Sequence, residues 1–388
     1  TNKKDQKGLI KIGNERVVDA RLSDAEFFWN KDKTQNLVKK VSELKSVNLF
    51  KGLGSYFDKA QRMRKLGGMI SDELLISKEK VELLASICKT DLTSDLVGEF
   101  PELQGLMGGY FSEHQGFDKD ISLAISEQYL PIGLNSTVPK KPFSVALSIT
   151  DKIDTLVGFF GINEKPTSSK DPLALRRIAL GIIRTTVENK KNLKINDLLN
   201  YSSRLYNEQG LKLDNKDLQN ELYDFLKDRF RYYLKEKEIR NDIIEATLSS
   251  FSLNKLFSSF EKSRCLNKVI NSQIGLDINS SYKRASNILD HEMKNNKIEI
   301  DDTTDPGIFK SEFEKNLYKK INYIKKYYSN INSDENYEKS LSILAETKKE
   351  VFDFFDNVKV NEENETLRKN RLELINMLCK TFQNYINF

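Results

Sequence analysis

Apolar residues recur at the i, i+3, i+4 and i+7 spacing of an amphipathic helix along most of this 388-residue chain, and few segments alternate as strictly as a half-buried strand requires. The seven prolines, at 101, 131, 139, 142, 166, 172 and 306, fall where such helices would break. This pattern predicts an all-α fold. Helices are expected over residues 143–160, 197–208, 214–237, 241–249, 254–270, 281–294, 310–329, 335–357 and 362–385, with loops at "QYLPIGLNSTVPKKP", "NKKNLKIND" and "NNKIEIDDTTDPG". The length implies more than one domain.

Within that pattern "SSKDPLALRRIALGIIR" (168–184) reads as one helix. Asp171 would cap it, Pro172 would take the first helical position, and Leu175, Ile178, Ala179, Ile182 and Ile183 form its apolar stripe. Arg177 and Arg184 share a face, with Gly181 one turn from each. Spacing leaves two readings open: a solvated basic face, or a strip that lets another backbone come close. The arginines have internal options as well, Arg184 with Glu188 at i+4 and Arg176 with Asp151 or Asp154.

Few kinds of chemistry survive inspection. The two histidines, His114 and His291, are too far apart in sequence for an HExxH or Cys–His zinc pattern. His291 suits a helix C-terminus and His114 a surface or cap position. The cysteines Cys88, Cys265 and Cys379 form no CxxC pair, as expected of reduced thiols in the cytoplasm. "KGLGS" and "GLMGGY" lack the Lys-Ser/Thr of a phosphate loop. No apolar run reaches the ~18 residues of a membrane span, and no signal peptide opens the chain. Asp151 and Asp154, at i,i+3, could hold a divalent ion or simply pair with Lys or Arg.

The formal net charge of +5 is a weak global field, so contact with nucleic acid would depend on local patches. "FLKDRFRYYLKEKEIRNDIIEA" interleaves bases with aromatics, as phosphate contact with stacking requires, but its acids fit a salt-bridged surface equally well. "SYKRASNILDHEMK" and "ETLRKNRLELINML" add shorter basic clusters.

The strings "GNERVVDARLSDAEFFW", "LGSYFDKAQR", "CKTDLTSDLVGEFPELQGLMGGYF", "LSITDKIDTLVGFFGI", "PTSSKDPLALRRIALGIIR", "YKRASNIL" and "VFDFFDNVKVNEENETLRKNRLELI" occur in that order. Together they resemble the β-subunit family of the bacterial two-subunit glycine–tRNA ligases over about residues 8–388, and the start without Met suggests the C-terminal portion of such a subunit. The resemblance implies a tRNA-recognition subunit that binds tRNA(Gly) so that an α subunit can attach glycine, in an α2β2 heterotetramer in the cytoplasm, with no role for membrane or DNA. It implies no catalytic residue and no cofactor in this chain, ATP and Mg2+ being used by the α subunit. No class I HIGH or KMSKS string and no class II arginine motif is present.

The same resemblance implies four regions. Residues 1–45 would be an N-terminal arm or remnant of a preceding region, 46–190 a degenerate HD-type helical domain, 191–279 a connecting helical region and 280–388 an α-helical anticodon-binding-type domain. HD phosphohydrolases ligate metal through His, a His-Asp pair and a later Asp. The matching places here hold Lys59 or a neighbour, Thr90-Asp91 and Asp151, so no metal site is expected, since Lys and Thr cannot replace imidazole. The expected tRNA contacts are Lys170, Arg176, Arg177, Arg184, Arg229, Arg231, Lys283, Arg284, Arg368, Lys369 and Arg371. Phe354, Phe355 and Val358 are expected in the core, with Asn370 and Arg371 at the exposed start of the last helix and Lys359 beside the RNA or in a solvated loop. The alternatives are a stand-alone HD-type metal-dependent phosphohydrolase and a non-catalytic RNA-binding scaffold.

Overall fold

The computed structural model describes residues 8–167, 170–296, 300, 304–329 and 337–385. Among them there is no β-strand, only one isolated bridge between Asn48 and Ser55, so the expected all-α class holds. The chain divides into two compact units, residues 1–230 with 253–257, and residues 231–252 with 258–388.

The first unit holds α1 (Leu9–Asp32), α2 (Leu37–Lys40), α3 (Tyr56–Leu74), α4 (Lys78–Ile87), α5 (Asp95–Glu99), α6 (Leu106–His114), α7 (Lys119–Glu127), α8 (Pro142–Gly161), α9 (Leu175–Glu188) and α10 (Ile195–Glu208). Most of α11 (Leu218–Glu236) belongs to it too. Its centre is α8, which packs against α3, α7, α9 and α10. The reason is in its sequence, "PFSVALSITDKIDTLVGFFG", whose apolar residues fall on all sides and leave no solvent-facing stripe, so that even Asp151, Lys152 and Asp154 are buried and must find partners within the protein. Ile149, Ile153, Leu156 and Val157 are wholly buried, each worth ~1.5–3 kcal/mol relative to exposure. Ser55 and Asp58 form a capping box that starts α3.

The segment around α9 corrects one expectation and keeps another. Asp171 does cap, its carboxylate oxygens accepting from the backbone N–H of Leu175 (2.8 Å) and Arg176 (3.0 Å). Pro172, however, sits in the turn before the helix, which begins only at Leu175 after Ala174 takes a left-handed conformation (φ 54°). Asp171 therefore reaches over an extra turn. Ser168 and Ser169 of the same string lie outside the described residues.

The second unit contains α12 (Asn241–Ser249), most of α13 (Leu256–Val269), α14 (Gln273–Asn296), α15 (Glu312–Ser329), α16 (Tyr337–Ala345), α17 (Lys348–Asn357) and α18 (Glu365–Tyr385). Leu317, Ile321, Ile324, Leu344, Val351, Phe354, Leu374, Ile375, Leu378 and Phe382 make its core. Phe354 and Val358 are buried as expected, and Phe355 packs partly buried against them. The helix expected over 335–357 is two helices. The Thr347 hydroxyl donates to the Leu344 carbonyl (2.6 Å), the local side-chain bond with which Thr competes against helical continuation.

Candidate nucleic-acid interface

Of the positions expected to correspond to HD metal ligands, Lys59 and Asp151 meet, and they do so as an ion pair. From α3, Lys59 Nζ stands 3.2 Å from Asp151 Oδ1 on α8, and Lys89, just after α4, stands 2.8 Å from the same oxygen. One turn along α8, Asp154 receives Arg62 of α3 through Nε (2.6 Å) and a terminal nitrogen (3.1 Å). Tyr206 of α10 lies under that guanidinium, 3.7 Å from its ring centroid, and Gln209 accepts from it at 2.6 Å. Gly158 makes this possible, because a Cβ there would stand 2.3 Å from the Tyr206 hydroxyl. Thr90 donates to the Ile87 carbonyl (2.7 Å), and Asp91 accepts from the backbone N–H of Gly105.

Burial presses against the Asp151 charge, yet Lys59 and Lys89 outweigh it and hold its carboxyl well below the usual range. Burial pushes Asp91 up, against the backbone N–H groups of Gly105 and Gly108 and the nearby Lys89 ammonium, which favour its charge. Two ammonium groups bear on the carboxylate that a dication would need, so the donors do not fit a metal. Among the described residues no group of three or more His, Cys, Asp or Glu side chains converges as a metal site requires. Of the two readings of Asp151 and Asp154, pairing with Lys and Arg is the one observed, although the partners are Lys59, Lys89 and Arg62 rather than Arg176.

Lys152, between those two aspartates, turns the other way. Its ammonium donates to the Leu130 carbonyl and Ser148 Oγ, both at 2.7 Å. Burial, with Lys89 and Lys59 nearby and only Asp151 in support, brings its pKa down to about 7. The stem of Lys152 lies across Gly181, where a Cβ would be 2.8 Å from Cε. The missing side chain between Arg177 and Arg184 thus admits a lysine from α8, not a backbone from another molecule.

The eleven expected tRNA-contacting cations separate sharply. Arg184 is 8% exposed; its guanidinium donates to Glu188 (2.8 Å), the Gly133 carbonyl (2.7 Å) and the Ser136 carbonyl (2.8 Å). Arg371 is 6% exposed and donates to Glu314 (2.6 Å), Glu362 (3.2 Å) and the Lys359 carbonyl (2.8 Å). Both were expected to face RNA, and both are instead buried with the guanidinium engaged by acceptors of the protein itself. Asn370, expected at an exposed end, is buried and exchanges hydrogen bonds with the Asp305 backbone (2.8 and 3.0 Å).

Arg176 is half-buried and donates to the Thr167 carbonyl. Arg231 pairs with Glu245, Arg368 with Glu292, and Lys369 approaches Glu373 at 3.8 Å. Arg284 lies over the Phe352 and Phe355 rings (4.9 and 5.2 Å) and pairs with Asp356. Arg229 is half-buried. Lys170, Arg177 and Lys283 are exposed and form no ion pair among the described residues. Lys359 is exposed as well.

One basic face escaped the sequence reading. On α15, Lys315, Lys319, Tyr323 and Lys326 fall at i, i+4, i+8 and i+11 and are all exposed, Tyr323 at 54%. The three lysines form no ion pair among the described residues. The helix was expected, but the register of its lysines against its single outward tyrosine is the signal that would have singled it out.

Residues 278–388 match the family model described as the DALR anticodon binding domain. Residues 278–388 are therefore similar to a helical anticodon-binding domain. Residues 1–249 match the model described as the glycyl-tRNA synthetase beta subunit, and the chain belongs to that family. It is 36% identical over 380 residues to the glycine–tRNA ligase beta subunit of Rickettsia canadensis, covering 98% of this chain and 54% of that one. The same-named proteins of Rickettsia typhi and Rickettsia bellii are 34% and 36% identical, with the same coverage. The chain therefore spans about half the length of the curated relatives it matches.

Proposed function

We propose that this chain is the tRNA-recognising part of a glycine–tRNA ligase β subunit, holding tRNA(Gly) while an α subunit attaches glycine. In this reading ATP and Mg2+ act in the α subunit, the assembly is an α2β2 heterotetramer in the cytoplasm, and this chain supplies grip rather than chemistry. The observation that carries it is the match of residues 278–388 to an anticodon-binding domain, in a unit whose α15 presents the exposed Lys315, Lys319 and Lys326 beside an outward Tyr323. Unpaired anticodon-loop bases are recognised by stacking and by contacts to their edges, while Lys and Arg on phosphate fix position. Residues 46–190 would serve as an HD-type platform for the RNA backbone through Lys170 and Arg177, with 191–279 as connector.

The reading is tested by measuring binding of the whole chain to tRNA(Gly) at a series of salt concentrations. Affinity should fall steeply between about 50 and 200 mM salt as counterions are released. Binding that is undetectable, or indifferent to salt, refutes it. Aminoacylation by the α subunit with full-length β should in turn weaken when Lys170, Arg177 and Lys283 are reversed in charge.

A further inference from the structure

We propose that Lys140, Lys141, Lys190 and Lys191 form a single phosphate-backbone contact on the first unit, distinct from the cations expected from the sequence. The inference rests on the tRNA-binding reading above. In sequence these residues are two unremarked Lys-Lys pairs about fifty positions apart, one before α8 and one after α9. The fold ties them together. Lys140 Nζ donates to the Glu188 carbonyl at the end of α9 (2.8 Å), and Asn189 Nδ2 donates to the Pro139 carbonyl (2.9 Å). Each lysine lies within two residues of these ties, and consecutive Cα atoms are only ~3.8 Å apart, so the four lysines spring from one corner of the backbone.

All four side chains are exposed, and none forms an ion pair among the described residues. Glu188, the carboxylate beside them, is already committed to Arg184 at 2.8 Å. The first turn of α8 has Pro142 at its start and no side-chain cap, so the positive end of its dipole adds to the same field. Lys190 itself is left-handed (φ 55°), and the N–H groups of Lys190 and Lys191 close back onto the Val187 and Thr186 carbonyls. That position ordinarily belongs to Gly or Asn, so a lysine there keeps its charge against its own backbone preference.

Uncompensated lysines in such density fit a polyanion. Protein interfaces are depleted in Lys, whereas Lys is a regular donor to phosphate oxygens. The partner is therefore an RNA backbone rather than an acidic protein.

The test uses the whole chain, fluorescently labelled tRNA(Gly), and two variants. The first is Lys141→Glu/Lys190→Glu/Lys191→Glu. The second is Lys190→Gly, which removes one charge while suiting the left-handed backbone, so its fold is at least as stable as the parent's. Urea unfolding followed through Trp29 checks that both variants are folded. Removing one lysine–phosphate pairing should lower the slope of log K against log salt by ~0.7–0.9, so the triple variant should drop by about two or more and Lys190→Gly by a fraction of one.

If the parent binds with a steep salt slope and the triple variant keeps that slope, the corner is not an RNA contact and the inference falls while the tRNA reading stands. If the parent fails to bind at any salt, the tRNA reading fails and takes this inference with it. A triple variant that keeps tRNA but no longer co-elutes with the α subunit would mark the corner as a protein interface and overturn the proposal.

Discussion

Replacing Arg62 by Met should expose how the first unit is held together. Arg62 and Asp154 are both fully buried, joined by bonds of 2.6 and 3.1 Å, with Gln209 and the Tyr206 ring completing the guanidinium's surroundings. Burial opposes the Arg62 charge, but Asp154 and Tyr206 more than offset it and its pKa stands above the ordinary value. Removing one partner from a buried pair costs ~3–5 kcal/mol, because the other is left as an uncompensated charge. Asp154 would keep Lys59 at 3.6 Å and the Tyr206 hydroxyl at 3.3 Å, which places the loss near the lower end of that range.

Trp29 is the chain's single tryptophan, lies in the first unit and stacks on Phe111 at 5.5 Å, so its fluorescence follows this unit specifically. At a urea slope of ~2–3 kcal/mol/M, a loss of ~3 kcal/mol moves the midpoint down by ~1–1.5 M. Arg62→Met/Asp154→Leu should recover most of it, since an apolar pair of similar size needs no charge compensation. An Arg62→Met midpoint within ~0.3 M of the parent's, or a double variant no better than the single, would refute the reasoning.

Three further outcomes follow from the same geometry. Lys152 has a folded-state pKa of about 7 against an ordinary 10.5, so between those values the unfolded chain holds a proton that the folded one releases. Stability, measured through Trp29, should therefore rise from pH 7 toward pH 10 by up to ~1.4 kcal/mol per unit, and Lys152→Met should flatten that slope. Lys89, raised above its ordinary value chiefly by Asp151 against the effect of burial, loses its contribution only above that window. Arg177→Glu should weaken tRNA binding at an unchanged urea midpoint, whereas Arg184→Gln should lower stability by ~2–4 kcal/mol and leave the salt slope alone; the reverse pattern would reassign both residues. Tyr323→Ala should cost ~1–3 kcal/mol in binding a short RNA carrying the anticodon loop, read by fluorescence anisotropy, while Tyr323→Phe should cost little; equal losses would rule out stacking.

How far the sequence could be read depended on where each residue's partners lie along the chain. Apolar spacing is local, so most helices from α8 onward were legible from periodicity, although α16 and α17 read as one, and so was the i+4 partner of Arg184; the burial of Phe354 and Val358 was expected from the family resemblance. The Asp171 cap was legible in kind but not in reach, because the left-handed Ala174 depends on how the turn before α9 is closed. What no local pattern contains is which distant group meets a given side chain. Arg184 is engaged by carbonyls some fifty residues upstream, Arg371 by Glu314, and the gap at Gly181 by Lys152. An arginine facing RNA and one braced against a loop carry the same residue name and the same helical spacing. Only the tertiary packing around each arginine distinguishes them, since burial removes water and leaves a guanidinium to find every acceptor within the protein. Helix content and core were thus already present in the order of residues, while the division between free and engaged charge came from long-range contacts. That division brought the lysines at 140–141 and 190–191 to one corner and left Arg177 outside.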